Sequence, residues 1–328
     1  MTHTRIFSRY QSSITQQSLS ELSSALLLQQ KNMWQQCGEG YAALASSVQR
    51  EIQCNGFSVR LQNNPKRITS TGAKVDAHSI SKRKCFLCTE NLPDGQQAIM
   101  YDEQFYILVN PFPIFKQHFT ITHKNHLPQS FDTALDIFLA LAKDLSPQFS
   151  VFYNGPKCGA SAPDHLHFQA CPTNAIPVER YITDPARLVP HRVIDEVSVF
   201  SLKNTGRSTI VVEGDTLKKV SYVLQKLIET LKRIEHLDDE PLMNILCSFS
   251  ENTWHVIIFP RTKHRPDAYF KEGDEKILVS PAAVDIGGLI VTPLEKDFHL
   301  LNAAMVEAMY KEVCMSENIF ERVLAQYK

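Results

Sequence analysis

The segment Pro163-Asp164-His165-Leu166-His167-Phe168-Gln169 alternates polar with apolar side chains, the period of a β-strand. On a strand, His165, His167 and Gln169 project from one face, while Leu166 and Phe168 turn into a core. At a rise of about 3.3 Å per residue, the three polar groups stand in a row roughly 7 Å apart. An imidazole can attack phosphorus directly, giving a phosphoramidate that a second acceptor cleaves. It needs no separate base, because the neutral ring already carries a lone pair. Two histidines on a half-buried strand can equally serve as structural groups or metal ligands. The residues just upstream favour phosphate. In Asn154-Gly155-Pro156-Lys157-Cys158-Gly159-Ala160-Ser161, the two glycines allow close backbone approach and Ser161 offers a hydroxyl.

Taken together, Asn154-Gly155, Gly159-x-Ser161 and His165-x-His167-x-Gln169 resemble the histidine-triad superfamily in its transferase branch. That branch includes galactose-1-phosphate uridylyltransferase, diadenosine tetraphosphate phosphorylase and the GDP-hexose phosphorylases. The stretch 154–170 is also similar to an uncharacterised bacterial group within it. The likeness covers about residues 60–172 and is fainter beyond. It implies that His167, the middle position of the triad, is the nucleophile, with Gln169 and Ser161 completing the catalytic set. The third position is histidine in the hydrolases and glutamine in the transferases. An amide can hold the transferred phosphoryl group without activating water.

The resemblance also implies substrate contacts. Asn110 lies eight residues before His118 and takes the place of the family's ribose ligand, with Phe112 or Ile107 beside the base. On its own, Asn110-Pro111 reads equally well as a turn cap. Asn154 and Gly159 of the loop belong to the same set, as does Arg67, whose setting Asn64-Pro65-Lys66-Arg67 resembles the basic turn of uridylyltransferases.

The pair Cys85-x-x-Cys88 has the spacing of a redox couple or of half a zinc site. No βαβ rhythm surrounds it, which argues against a thioredoxin-like role. The resemblance implies a structural zinc held by Cys85, Cys88, His126 and His165, a set suited to tetrahedral coordination. His165 would then brace the strand that carries His167. His123 stands where the family usually has proline and competes with His126 as ligand. The sequence places no paired carboxylates beside the site, so the expected chemistry requires no catalytic Mg²⁺.

The elements that must position these residues read as α+β. Residues from about 15 to 50 are expected to be helical, and 62–71 to be loop. Strand-like runs follow at 105–109, 119–122 and 150–153, with a helix over Phe131–Ala142. In the second half, strands are expected at 197–200, 209–212, 244–247 and 255–259. Between them lies the helix of Leu217, Val220, Leu224, Leu227, Leu231 and Ile234, and a last helix is expected over much of 296–327. His118–Lys124 can be laid over His255–Arg261, a faint echo that suggests duplication. The resulting layout is a helical N-terminal extension over 1–60, a catalytic histidine-triad domain with an antiparallel sheet over 61–190, and a second such domain over 191–328. The second lacks His-x-His-x-Gln, so one complete site per chain is expected. Its basic residues Arg261, Lys263, His264 and Arg265 follow the echo strand and could close over the second substrate, although for any one of them a solvated turn is the commoner reading.

A net charge of −1 gives no broad field that would attract nucleic acid, and no apolar run is long enough for a bilayer. The N-terminus Met1-Thr2-His3-Thr4-Arg5 shows no secretion signal, and a cytoplasmic location is expected. Most of the eight cysteines read as buried thiols. The expected function is a nucleotidyltransferase or phosphorylase. It moves a nucleoside monophosphate from a nucleoside diphosphate sugar or dinucleoside polyphosphate to phosphate or a sugar phosphate. The alternatives are a nucleotide hydrolase of the same superfamily and a zinc-braced nucleotide-binding module without catalysis. Related enzymes suggest a homodimer.

Overall fold

The computed structural model describes residues 5–12 and 14–327. Met1–Thr4, on which the reading of the N-terminus partly rests, lie outside the described residues. The chain begins β1 (Ile6–Tyr10), α1 (Leu19–Met33), α2 (Gln35–Ala45), β2 (Val48–Gln53), β3 (Ser58–Asn63), α3 (Ile68–Thr71) and α4 (Ala77–Lys82). It continues through β4 (Ala98–Tyr101), β5 (Phe105–Val109), β6 (Phe119–His123), α5 (Leu135–Asp144), β7 (Phe149–Asn154) and β8 (His167–Pro172). Next come β9 (Leu188–Ile194), β10 (Val197–Leu202), β11 (Ile210–Gly214), α6 (Leu217–Glu235), β12 (Met243–Ser250) and β13 (Thr253–Pro260). The chain closes with α7 (Ala283–Ile286), β14 (Leu289–Thr292), α8 (Glu295–Leu300), α9 (Ala303–Val313) and α10 (Glu317–Leu324).

An 11-stranded sheet dominates, in the order β1-β4-β5-β6-β8-β7-β12-β13-β11-β10-β9. Two copies of one unit are visible in it. In chain order β4-β5-β6-α5-β7-β8 repeats as β9-β10-β11-α6-β12-β13, and each copy is ordered with its last two strands exchanged. The copies meet where β7 pairs antiparallel with β12, with Asn154 opposite Asn244. This corrects the echo read from the sequence. β13, with His255, occupies the place of β8, while β6, which His118 immediately precedes, corresponds to β11. The two short segments share a texture because both are strands running into basic turns, not because they are equivalent.

One face of the large sheet is covered by helices. The apolar stripe of α6 (Val220, Leu224, Leu227, Leu231) packs there together with Phe138 and Leu139 of α5 and Leu22 and Leu26 of α1. The other face is covered by a small sheet, β14-β3-β2, and by α7 to α9. The expected N-terminal helices are α1 and α2, but this segment also supplies edge strand β1, parallel to β4, and strand β2 of the small sheet. Residues 62–71, expected as loop, finish β3 and form two short helical turns. The expected last helix is three short ones, because Ser316 and Asn302 start new helices within it. No helix among the described residues is long and apolar enough to cross a membrane.

Candidate active site

A cavity of about 680 Å³ opens on the face of the large sheet away from α5 and α6. Strand alternation decides which side chains reach it. Leu166 and Phe168 are buried in the helix-side core, and His167 and Gln169 line the cavity between them. Ser161, Gly159, Asn154, Asn110, Phe112 and Arg67 line the same space, so the substrate set expected from sequence converges on it. Ile107 does not. Its side chain lies fully buried in the helix-side core, on the opposite strand parity from Leu108, which faces the cavity.

His167 is 4 % exposed, and its Nδ1 lies 2.7 Å from the carbonyl oxygen of His165. A carbonyl only accepts, so Nδ1 carries the proton and the Nε2 lone pair is left free. Burial pushes the His167 pKa down to about 4, keeping the ring neutral and nucleophilic around pH 7. The backbone at this point is clamped by Gln129, which no sequence signal marked. Its Oε1 accepts the His167 N–H (2.8 Å), and its Nε2 donates to the carbonyls of His167 (3.0 Å) and Asn154 (2.9 Å).

Gln169 is oriented by His118. The Ile114 N–H donates to His118 Nδ1 (3.1 Å), so the His118 proton sits on Nε2 and is donated to Gln169 Oε1 at 2.9 Å. With its oxygen so engaged, Gln169 has its amide N–H groups left to donate. Burial, with the Arg67 charge adding to it, holds the His118 pKa down to about 3. The Tyr41 hydroxyl of α2 bonds the backbone N and O of His118 at 3.2 Å. Gly40 makes that approach possible, since a Cβ there would lie 2.0 Å from the Pro111 carbonyl oxygen.

The loop between β7 and β8 is shaped from both halves. Gly159 has φ +91°, and a Cβ on it would lie 2.5 Å from the Ala282 Cβ. Asn154 Oδ1 accepts from Asn244 Nδ2 (3.0 Å) and from the Ala283 N–H (2.8 Å). Asn110 does act as a turn cap, since its Oδ1 accepts the Phe112 N–H at 2.9 Å, yet it still lines the cavity. Arg67 Nη1 donates to the Phe112 carbonyl at 2.9 Å, and burial lowers its pKa to about 10.

Cys85, Cys88, His126 and His165 converge at one point, their ligand atoms all within 4.8 Å of one another. Cys85 Sγ lies 3.3 Å from His165 Nδ1, and Cys88 Sγ lies 3.2 Å from His126 Nδ1. His165 Nε2 is 2.7 Å from the His123 carbonyl oxygen, which takes its proton and turns Nδ1 toward the thiols. The cluster fits one tetrahedrally held metal ion. His123 is outside it, with its ring nitrogen accepting the Asn125 N–H at 3.1 Å.

Residues 26–172 match the family described as "Domain of unknown function (DUF4922)", and residues 178–327 match the "GDPGP1-like, C-terminal domain". No curated protein matches the chain in sequence. Among solved structures, yeast Ap4A phosphorylase Apa2 in complex with AMP superposes with a TM-score of 0.55 at 14% identity, over 88% of this chain and 96% of that one. The same yeast enzyme in complex with Ap4A gives 0.50 at 13% identity, over 87% and 97%. The chain shares the fold of this yeast phosphorylase.

The second half takes part in this site directly, through the basic turn that the sequence offered either as solvated or as closing over a second substrate. Arg261, read as solvated, is fully buried. It donates to Asn244 Oδ1 (2.6 Å) and to the carbonyls of Val313, Pro281, Lys263 and His264 at 3.0–3.1 Å. That fan of acceptors fixes the turn after β13, and His264 and Arg265 thereby reach the cavity. Lys263 alone fits the solvated reading, paired with Asp267 and Glu312. Asp285 of α7 also lines the cavity. It accepts the Ala282 and Val291 N–H groups at 3.0 Å, and burial raises its pKa to about 6.

Proposed function

We propose that the protein is a nucleotidyltransferase of the phosphorylase type, working by double displacement at His167. The observation that carries this is the free Nε2 of a neutral, buried imidazole, beside an amide whose orientation leaves it only donors to offer. In the first step His167 Nε2 forms a bond to the α-phosphorus while the bond to the leaving phosphate oxygen breaks. In the second, an oxygen of inorganic phosphate or a sugar phosphate bonds to that phosphorus and the P–N bond breaks. Each step exchanges one bond for another, and the two together return His167 to its starting state. Gln169, Ser161 and the backbone near Gly159 stabilise charge on the phosphoryl oxygens.

The donor on this reading is a nucleoside diphosphate sugar or a dinucleoside polyphosphate, in keeping with the AMP and Ap4A in the structures of the yeast enzyme. Asn110 contacts the ribose, and Phe112 lies against the base. Asn154 and Arg67 complete the substrate contacts. Residues 61–190 form the catalytic domain and 191–328 its partner domain. The metal is zinc: tetrahedral Zn²⁺ with two thiolates and two imidazoles puts ligand atoms roughly 3.3–3.8 Å apart. Three of the four sulfur–nitrogen separations in the cluster are 3.2, 3.3 and 3.6 Å. Its role is to fix His165, whose carbonyl holds the His167 proton.

The test is incubation with donors radiolabelled at the α-phosphate: UDP-, GDP- and ADP-glucose and Ap4A. An acid-labile, base-stable label on the wild type, absent from His167→Ala, is expected. Transfer retained by His167→Ala would remove the mechanism. Bound label with no covalent adduct for any donor would favour a binding module.

A further inference from the structure

We propose that His264 and Arg265 of the second half, with Lys74, form a subsite for a phosphate dianion in this cavity. The inference rests on the double-displacement reading. The subsite holds the phosphate that departs with the donor's leaving group. In the second step it holds the inorganic phosphate or sugar phosphate that attacks.

Position comes first. Arg265 Nε donates to Ser280 Oγ (2.8 Å) and Nη2 to the Ala73 carbonyl (3.0 Å), so the guanidinium sits between segment 280–282 and Lys74. Segment 280–282 packs on Gly159 through Ala282. The cation is therefore placed next to the Gly159–Ser161 loop, where phosphoryl oxygens collect.

Charge comes second. The Arg265 guanidinium stacks on Tyr269, 4.2 Å from the ring centroid, and neither it nor Lys74 forms an ion pair among the described residues. The nearby carboxylates of Asp267 and Glu312 are taken by Lys263. Asp285 is occupied by two backbone N–H groups.

Unused hydrogen-bonding capacity is the third and independent observation. His264 Nε2, Arg67 Nε and Arg83 Nη1 are buried without a hydrogen-bond partner, and all three residues line this cavity. Buried polar groups are nearly always paired, so orphans gathered around one space mark a missing ligand rich in acceptors. Burial and the neighbouring Arg265 and Arg261 hold the His264 pKa down to about 4, so the ring enters as a neutral hydrogen-bonding group. A phosphate dianion beside Arg265 supplies the acceptors that Arg265, Lys74 and the adjoining His264 lack.

The subsite is separated from the chemistry by changing the leaving group. A nucleoside 5′-phosphorimidazolide transfers its nucleotide with imidazole as the leaving group, so His167 can be labelled without a phosphate in the subsite. With Arg265→Ala and Lys74→Ala, labelling from the phosphorimidazolide is expected to stay within about twofold of wild type. Discharge of that label by inorganic phosphate is expected to fall about tenfold or more, with half-saturation moved to higher phosphate, the loss of one charge-assisted bond each. Equal losses in labelling and discharge would overturn the proposal, as would unchanged phosphate saturation in both variants. A wild type that no donor labels would instead defeat the double-displacement reading itself. Lys74 forms no side-chain hydrogen bond or ion pair among the described residues, so its variant reports even if Arg265→Ala unfolds.

Discussion

His118 Nε2 stands 2.9 Å from Gln169 Oε1, and because His118 Nδ1 already accepts a backbone N–H, the proton between them belongs to the histidine. Gln169→Glu keeps the shape but replaces the two amide donors with a carboxylate that repels phosphoryl oxygens. Nucleotidyl transfer is expected to fall by about 10²-fold, the usual cost of one misplaced oxyanion donor, read as initial rates with saturating donor. A variant within a few-fold of wild type would show that the amide donors are not used.

Acidity should act through the two buried imidazoles. His167 and His118 have pKa values held down to about 4 and about 3, below their value in the unfolded chain. Below about pH 6.5 the unfolded chain binds more protons than the folded one, so stability declines as the pH falls through that window. His167 labelling by a phosphorimidazolide should be flat from about pH 6 to 8, where the ring is already neutral, and should drop only toward pH 4. A labelling rate that halves near pH 6.5 would refute the depressed pKa.

For the metal cluster, one zinc per chain is expected by elemental analysis of the purified protein. Cys88→Ser should lose it and lower the melting temperature, since metal binding and folding are coupled. His123→Ala should keep its metal, because the His123 ring is engaged with Asn125 and only its backbone oxygen touches the cluster. Metal loss in His123→Ala with metal retained in His126→Ala would reverse the ligand assignment.

Gly159→Ala tests the interlock of the two halves. The residue has φ +91° and faces Ala282, so both backbone strain and a collision oppose a side chain. Destabilisation of about 1–3 kcal/mol is expected in urea unfolding. The added change Ala282→Gly should recover part of it, by relieving the contact and leaving the dihedral strain. Full recovery would mean that strain contributes nothing.

Arg261→Met removes a buried cation from five oxygen acceptors. A loss of about 3 kcal/mol or more is expected from thermal unfolding, since the stranded acceptors stay buried. Lys cannot reproduce the fan, so Arg261→Lys should rescue little.

What the sequence made legible was local. His167 and Gln169 could be placed because strand alternation assigns their face without knowledge of the neighbours. The metal ligands followed from a spacing and a resemblance, and the cluster brings together the four that were expected. Ile107 against Phe112 turned on strand parity at the end of β5, where a one-residue error exchanges core for cavity. Gln129 left no trace, because its partners are backbone atoms of residues 38 and 25 positions away. Arg261 looked like any surface arginine, since its acceptors come from five separate positions that only the tertiary structure assembles.

The pairing of β7 with β12 makes a single uninterrupted sheet out of two copies. Such a molecule has no hinge between its halves: parting them means breaking a row of backbone hydrogen bonds in the middle of the core. The part of the cavity wall made by residues 68–82 is instead held by side chains alone, Arg265 and Tyr269 bonding the carbonyls of Ala73 and Thr71.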